Sequence, residues 1–141
     1  MSTVSTRDAR WSALRGPAGV AVGGLALGVL LHVRDPHDSG SYGYCPFLLL
    51  GDRPCPGCGG LRAANLLTNG DVVGAISSNL LAVVLVGVLA VAWVVWVVRR
   101  WRGEHGARMI VLSGRAGAVL IAAVVAFGIV RNLPFGAWLA P

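Results

Sequence analysis

The sequence predicts an all-α membrane protein of three transmembrane helices, with a short amphipathic interfacial or re-entrant helix after a Cys-Pro-Gly-Cys motif. Three observations carry that prediction. The composition is 55% hydrophobic and 13% charged, which leaves too little polar surface to coat a soluble globule of 141 residues. Three apolar runs recur along the chain, and the arginines sit in short clusters beside them. A formal charge of +6 raises the question of a nucleic-acid partner. The cations form no stripe interleaved with aromatics, so membrane topology accounts for them and no nucleic acid is expected.

The segments divide into a cytoplasmic N-terminal tail, 1–16, and a single membrane domain, 17–141. Within that domain the spans cover about 17–33, 79–98 and 112–131, an outer cysteine loop covers 34–78, and an arginine-rich cytoplasmic loop covers 99–111. The first apolar run, Pro17–Val33, resembles a signal peptide by position. Arg34-Asp35-Pro36-His37-Asp38 follows where a small-residue cleavage site would stand, so an uncleaved span is expected. Its length comes to roughly 26 Å against a hydrocarbon core about 30 Å thick, and Ala13 and Leu14 extend it. It also carries Gly19-x-x-x-Gly23 and Gly24-x-x-x-Gly28, a spacing that permits close helix approach.

The second run, Asn79–Val98, is uncharged, and Ser77-Ser78-Asn79 stands where a cap is needed for its first amides. The third, Ala116–Val130, is short. It reaches spanning length if its helix begins near Met109 and Arg115 snorkels to the headgroups, and a re-entrant segment is the competing reading. Apolar flanks at Met109–Leu112 and Leu133–Leu139 favour the span. Trp11, Trp101 and Trp138 fit interface anchors. Arg99, Arg100, Arg102, Arg108 and Arg115 crowd the second connection, which assigns it and the N-terminus to the cytoplasm and the cysteine loop and C-terminus to the outside.

Chemistry concentrates in Cys45, Cys55 and Cys58. A disulfide staple from Cys45 to Cys55 or Cys58 would close a loop of about a dozen residues, worth roughly 3 kcal/mol in the loop-entropy account, and is the reading the spacing favours. A redox dithiol of Cys55 and Cys58 would need a thiolate stabilised by a helix N-terminus, with Arg62 one turn on as a further cation. A zinc-type site would take all three cysteines and a fourth ligand, for which His37 or His32 is the nearest imidazole. Pro56 and Gly57 suit the tight turn that a metal knuckle requires. No cofactor beyond this candidate zinc is expected.

The same stretch resembles a bacterial membrane-protein family known as domain of unknown function 2752. The resemblance rests on Cys45-Pro46, Gly51, Cys55-Pro56-Gly57-Cys58-Gly59 and Arg62-Ala63, then Gly70-Asp71, Asn79 and Arg131-Asn132-Leu133-Pro134. Two positions depart from the family pattern: Leu61 stands where threonine is usual, and Leu80 where proline is common. The resemblance implies a bacterial inner-membrane protein and no particular reaction.

Arg131 is expected to snorkel at the outer end of the third span, with Asp52, Asp71 or a lipid phosphate as alternative partners, and Asn132 to end the helix ahead of Pro134. No phosphate-binding loop, nucleophile elbow, zincin motif or paired intramembrane carboxylate occurs. The expected function is therefore a non-enzymatic accessory or interaction module. Its partners would be the bilayer and a membrane protein or a second copy of the chain, with thiol-disulfide exchange and metal binding as the alternatives.

Overall fold

Once the backbone leaves water, each amide must find its partner within its own segment, and helix is the local solution. The computed structural model describes residues 6–37, 42, 45, 50–51 and 53–139, and among these the regular structure is all helical. In chain order the elements are α1 (Thr6–Val33), α2 (Gly60–Thr68), α3 (Val72–Trp101), α4 (Gly114–Val130) and a terminal 3-10 turn, Pro134–Leu139.

Helix α1 starts at Thr6, so residues 6–16, expected as a tail, are largely helical. Pro17 lies inside it and is fully buried; its carbonyl accepts from Trp93 Nε1 at 3.0 Å. Close by, a Cβ at Gly16 would stand 3.2 Å from the Trp96 ring. These contacts join the early part of α1 to the late part of α3, so the two helices run antiparallel. At that end Trp96 Nε1 and Arg100 Nε both donate to the carbonyl of Ala107, at 2.8 and 3.1 Å, folding the connection back beneath α3. Gly19, Gly23 and Gly24, in contrast, meet nothing within 4 Å among the described residues, and of the two glycine pairs only Gly28 faces another helix, where a Cβ would stand 3.9 Å from Thr68 Cγ2.

Helix α3 is two helices joined at a kink. Asp71 caps the first, its Oδ1 accepting from the Gly74 amide at 2.8 Å. Asn79 then adopts an extended conformation (φ −165°, ψ 96°) and caps the second, its Oδ1 accepting from the Ala82 amide at 2.9 Å. The second part of α3 thus begins at Asn79, within the Ser77-Ser78-Asn79 stretch expected to cap it, while the helix as a whole starts earlier, at Val72. Leu80 occupies the first helical position after the cap, which also suits proline because its amide needs no intrahelical partner.

Helix α2 follows Gly59, whose φ of 80° turns the chain in a way a side chain would resist, and ends at Asn69-Gly70, where Gly70 has φ 77°. Ala63 and Ala75 are fully buried where α2 meets the first part of α3; a methyl at each position lets the backbones come close. Asn65, a polar residue within α2, is buried. Its Nδ2 donates at 2.7 Å to the carbonyl of Leu31, one of the last-turn oxygens that α1 itself leaves unpaired.

Two helices, Trp11–Val33 within α1 and Val72–Trp101, are long and apolar enough to cross a membrane. None of the most apolar stretch of α3 is buried within the protein, and only 11% of that of α1 is, so both present apolar side chains outward. Helix α4 is apolar but has 17 residues. It begins at Gly114, not near Met109, because Ser113 Oγ accepts from the Ala116 amide at 3.2 Å and caps the helix there. Its far end docks on the cysteine turn: a Cβ at Gly128 would lie 2.9 Å from Pro56 Cγ, and Asn132 Nδ2 donates to the Pro54 carbonyl at 3.0 Å.

Because Asn79 is both a cap and a buried donor, Asn79→Ala should cost about 2–4 kcal/mol in a reversible detergent-unfolding titration, whereas Asp71→Ala, which removes an exposed cap alone, should cost about 1 kcal/mol. Equal losses for the two would show that the buried bonds of Asn79 add nothing.

Candidate functional site

Pro56 presets its own φ and Gly57 adds no bulk, so the chain at Cys55-Pro56-Gly57-Cys58 closes a tight turn, with the Cys58 amide donating to the Cys55 carbonyl at 3.1 Å. Gly60 N–H to the Gly57 carbonyl, at 2.9 Å, continues the turn into α2. The Cys55 amide reaches Cys58 Sγ at 3.2 Å, and the two sulfurs lie 2.8 Å apart. Cys45 joins them, and all three sulfurs lie within 4.8 Å of one another, half-buried.

A tetrahedral zinc ion with bonds of about 2.3 Å places its sulfurs about 3.8 Å apart. The observed spread fits that requirement, with Cys55 and Cys58 needing to separate by about an ångström to admit the ion. Among the described residues no histidine or carboxylate joins the three sulfurs. His37 Nδ1 stands 2.7 Å from Asp35 Oδ1, and the His37 amide donates to the same oxygen at 2.8 Å, which holds the Asp35 carboxyl below the usual carboxylate range. His32 Nδ1 lies 3.3 Å from Thr68 Oγ1. Burial, together with contact from the neighbouring Cys55 and Cys45 thiols, pushes the Cys58 thiol up to about 12.

The turn leaves inward-facing carbonyls that no helix or strand satisfies, and two side chains from distant parts of the sequence satisfy them. Asn79 Nδ2 donates to the carbonyls of Pro56 and Cys58, both at 3.0 Å. Arg131 Nη1 donates to those of Cys55 at 2.8 Å and Cys58 at 3.0 Å. The Cys58 carbonyl accepts from both. Arg131 is only 2% exposed, with its guanidinium carbon 5.3 Å from the Phe127 ring centre, and its Nε and Nη2 have no hydrogen-bond partner among the described residues.

The expectation that Arg131 snorkels to the interface is therefore overturned: the inward-facing carbonyls of Cys55 and Cys58 hold its guanidinium on the turn in place of headgroup water. Its proposed partners fare differently. Asp71 is occupied as the cap of α3, and Asp52 lies outside the described residues. Arg62 does not approach the thiols; its Nε donates to the Pro36 carbonyl at 3.3 Å. Asn132 does more than end a helix, bonding the Pro54 and Gly128 carbonyls, while Pro134 opens the terminal 3-10 turn. Gly51 is exposed with open space around it, Leu61 is exposed, and Pro46 lies outside the described residues.

The buried roles of Asn65 and Arg131 escape a reading of the sequence. The available signal was polarity beside apolar runs, which marks a residue as costly to place without naming its partner. The sequence resemblance extends to Arg131-Asn132-Leu133-Pro134, beyond the segment that a family comparison matches. No curated protein and no solved structure matches the chain. Residues 45–93, which hold the cysteine turn, α2 and most of α3, match the model of the family described as protein of unknown function (DUF2752), and over that segment the chain is similar to it.

Proposed function

We propose that the chain is a non-enzymatic membrane module whose outer turn holds one soft divalent metal ion, of the zinc class, on Cys45, Cys55 and Cys58. The observation that carries this reading is the gathering of all three sulfurs within 4.8 Å. A staple needs two of them and leaves the third without a purpose; a thiolate metal centre uses all three. The ion would fasten the loop of residues 34–78 to the helices and present a fixed surface to a partner membrane protein or a second copy. In this reading α4 is a third span, and the cysteine turn lies outside a bacterial inner membrane with the arginine-rich connection in the cytoplasm. That arrangement is supported by the meeting of the end of α1, the kink of α3 and the end of α4 around the turn, while Arg99, Arg100 and Arg102 gather at the opposite end of α3.

The dithiol alternative has one observation in its favour, the 2.8 Å approach of Cys55 and Cys58. Against it stands the third sulfur: thiol-disulfide exchange uses two, whereas a metal ion takes all three and displaces their protons.

Protein purified in mild detergent without chelator or reductant should carry about one zinc per chain by elemental analysis, and Cys45→Ser, Cys55→Ser and Cys58→Ser should each abolish it. Metal-free protein with a Cys55–Cys58 disulfide would replace the metal reading with the redox one.

The chelated protein gives a second expectation. With Cys58 raised from 9.0 to about 12 in the fold, its neutral form stabilises the metal-free protein fully below pH 9.0, and that contribution is lost as the pH climbs toward 12. At pH 8 Cys58 should accordingly alkylate at least ~100-fold more slowly than after unfolding, read by mass spectrometry of the labelled peptide. Equal rates before and after unfolding would show that the fold does not protect the thiol.

A further inference from the structure

We propose that Arg131 is the built-in counter-charge of the cysteine centre and tunes it to a divalent ion; this deepens the metal reading and rests on it. Three thiolates around a divalent cation carry one net negative charge. One guanidinium cancels it, leaving a neutral assembly where either charge alone would be costly to bury. The geometry puts the guanidinium in that position. Its Nη1 is held by the carbonyls of both Cys55 and Cys58, so the cation is anchored to the backbone of two ligands. Among the described residues no carboxylate pairs with it, and its Nε and Nη2 are buried without partners. An arginine removed from water this completely needs an anion nearby, and the three sulfurs, once deprotonated by a metal, are that anion.

Charge matching carries a preference. A monovalent soft ion of the copper(I) class on the same thiolates leaves two net negative charges, of which Arg131 cancels one. A divalent ion of the zinc or cadmium class leaves none. Arg131 is a positioning residue here and touches no metal.

The test compares the full-length protein with Arg131→Met and Arg131→Lys in detergent, measuring zinc affinity by chelator competition and copper(I) affinity by a separate copper chelator. Arg131→Met should weaken zinc binding by about 10- to 100-fold, the range expected for a second-shell partner, and change copper(I) binding less. Arg131→Lys keeps the charge without the two-carbonyl fork, and should hold zinc within several-fold of the original chain. Zinc affinity unchanged in Arg131→Met overturns the inference, as does an equal loss for both metals, which would indicate a structural role alone. Should Arg131→Met fail to fold, a zinc affinity for Arg131→Lys reduced by 100-fold or more overturns it equally. Absence of zinc binding by the original chain is the failure of the metal reading itself and is distinguishable from all of these.

Discussion

The arrangement of this protein depends on the inward-facing carbonyls of one turn. Closing Cys55-Pro56-Gly57-Cys58 tightly enough to bring two sulfurs together turns the peptide oxygens of Cys55, Pro56 and Cys58 inward, where the turn's own bond from the Cys58 amide to the Cys55 carbonyl leaves most of their accepting capacity unused. Asn79 and Arg131 supply the donors. Because one comes from the kink of α3 and the other from the end of α4, the same bonds that satisfy the turn also fix where two long helices meet it. An unpaired carbonyl in so dry a place costs on the order of 1–3 kcal/mol, so the pairing is strongly directional in effect.

Ordinary core packing contributes less than in a soluble protein of this length. Besides Pro17, the buried apolar side chains among the described residues are Ala13, Leu31, Ala63, Ala75 and Ala107, four of them alanines. Large side chains such as Leu25, Val33, Val91 and Ile121 point outward. Lipid would cover that surface, and since lipid is as apolar as leucine it offers helices little hydrophobic reason to associate. Small residues permit close approach and polar bonds choose the partner. Asn65 on Leu31, Trp93 on Pro17 and Arg131 on Cys55 and Cys58 each tie one element to another through a carbonyl acceptor.

A metal in the three-cysteine centre would extend this logic. The ligands lie at the end of a segment whose backbone is already held by α3 and α4, so an ion binding there meets a prearranged site and orders Cys45 against it. Binding and helix arrangement would then be coupled through Arg131, which is at once the donor to the turn and a buried positive charge beside it. This coupling gives the centre a structural task even without a reaction to catalyse.

The amino-acid sequence by itself determined the helical class, the apolar runs, the interest of Cys45, Cys55 and Cys58, the turn at Pro56-Gly57 and the cap at Asn79, because each of these follows from local rules of polarity, spacing and backbone freedom. Local rules also erred where a cap outranked apolar content, as at Ser113, which starts α4 later than its flanking residues suggested. Only the tertiary structure decided that Cys45 reaches the other two sulfurs, that Asn65 is buried on Leu31, that His37 stays with Asp35, and that Arg131 turns inward to the cysteine turn instead of outward to water. The physical reason is separation along the chain. Arg131 lies more than seventy residues from the carbonyls it pairs with, and hydrogen-bond demand at one turn leaves no mark on the sequence around the side chain that answers it.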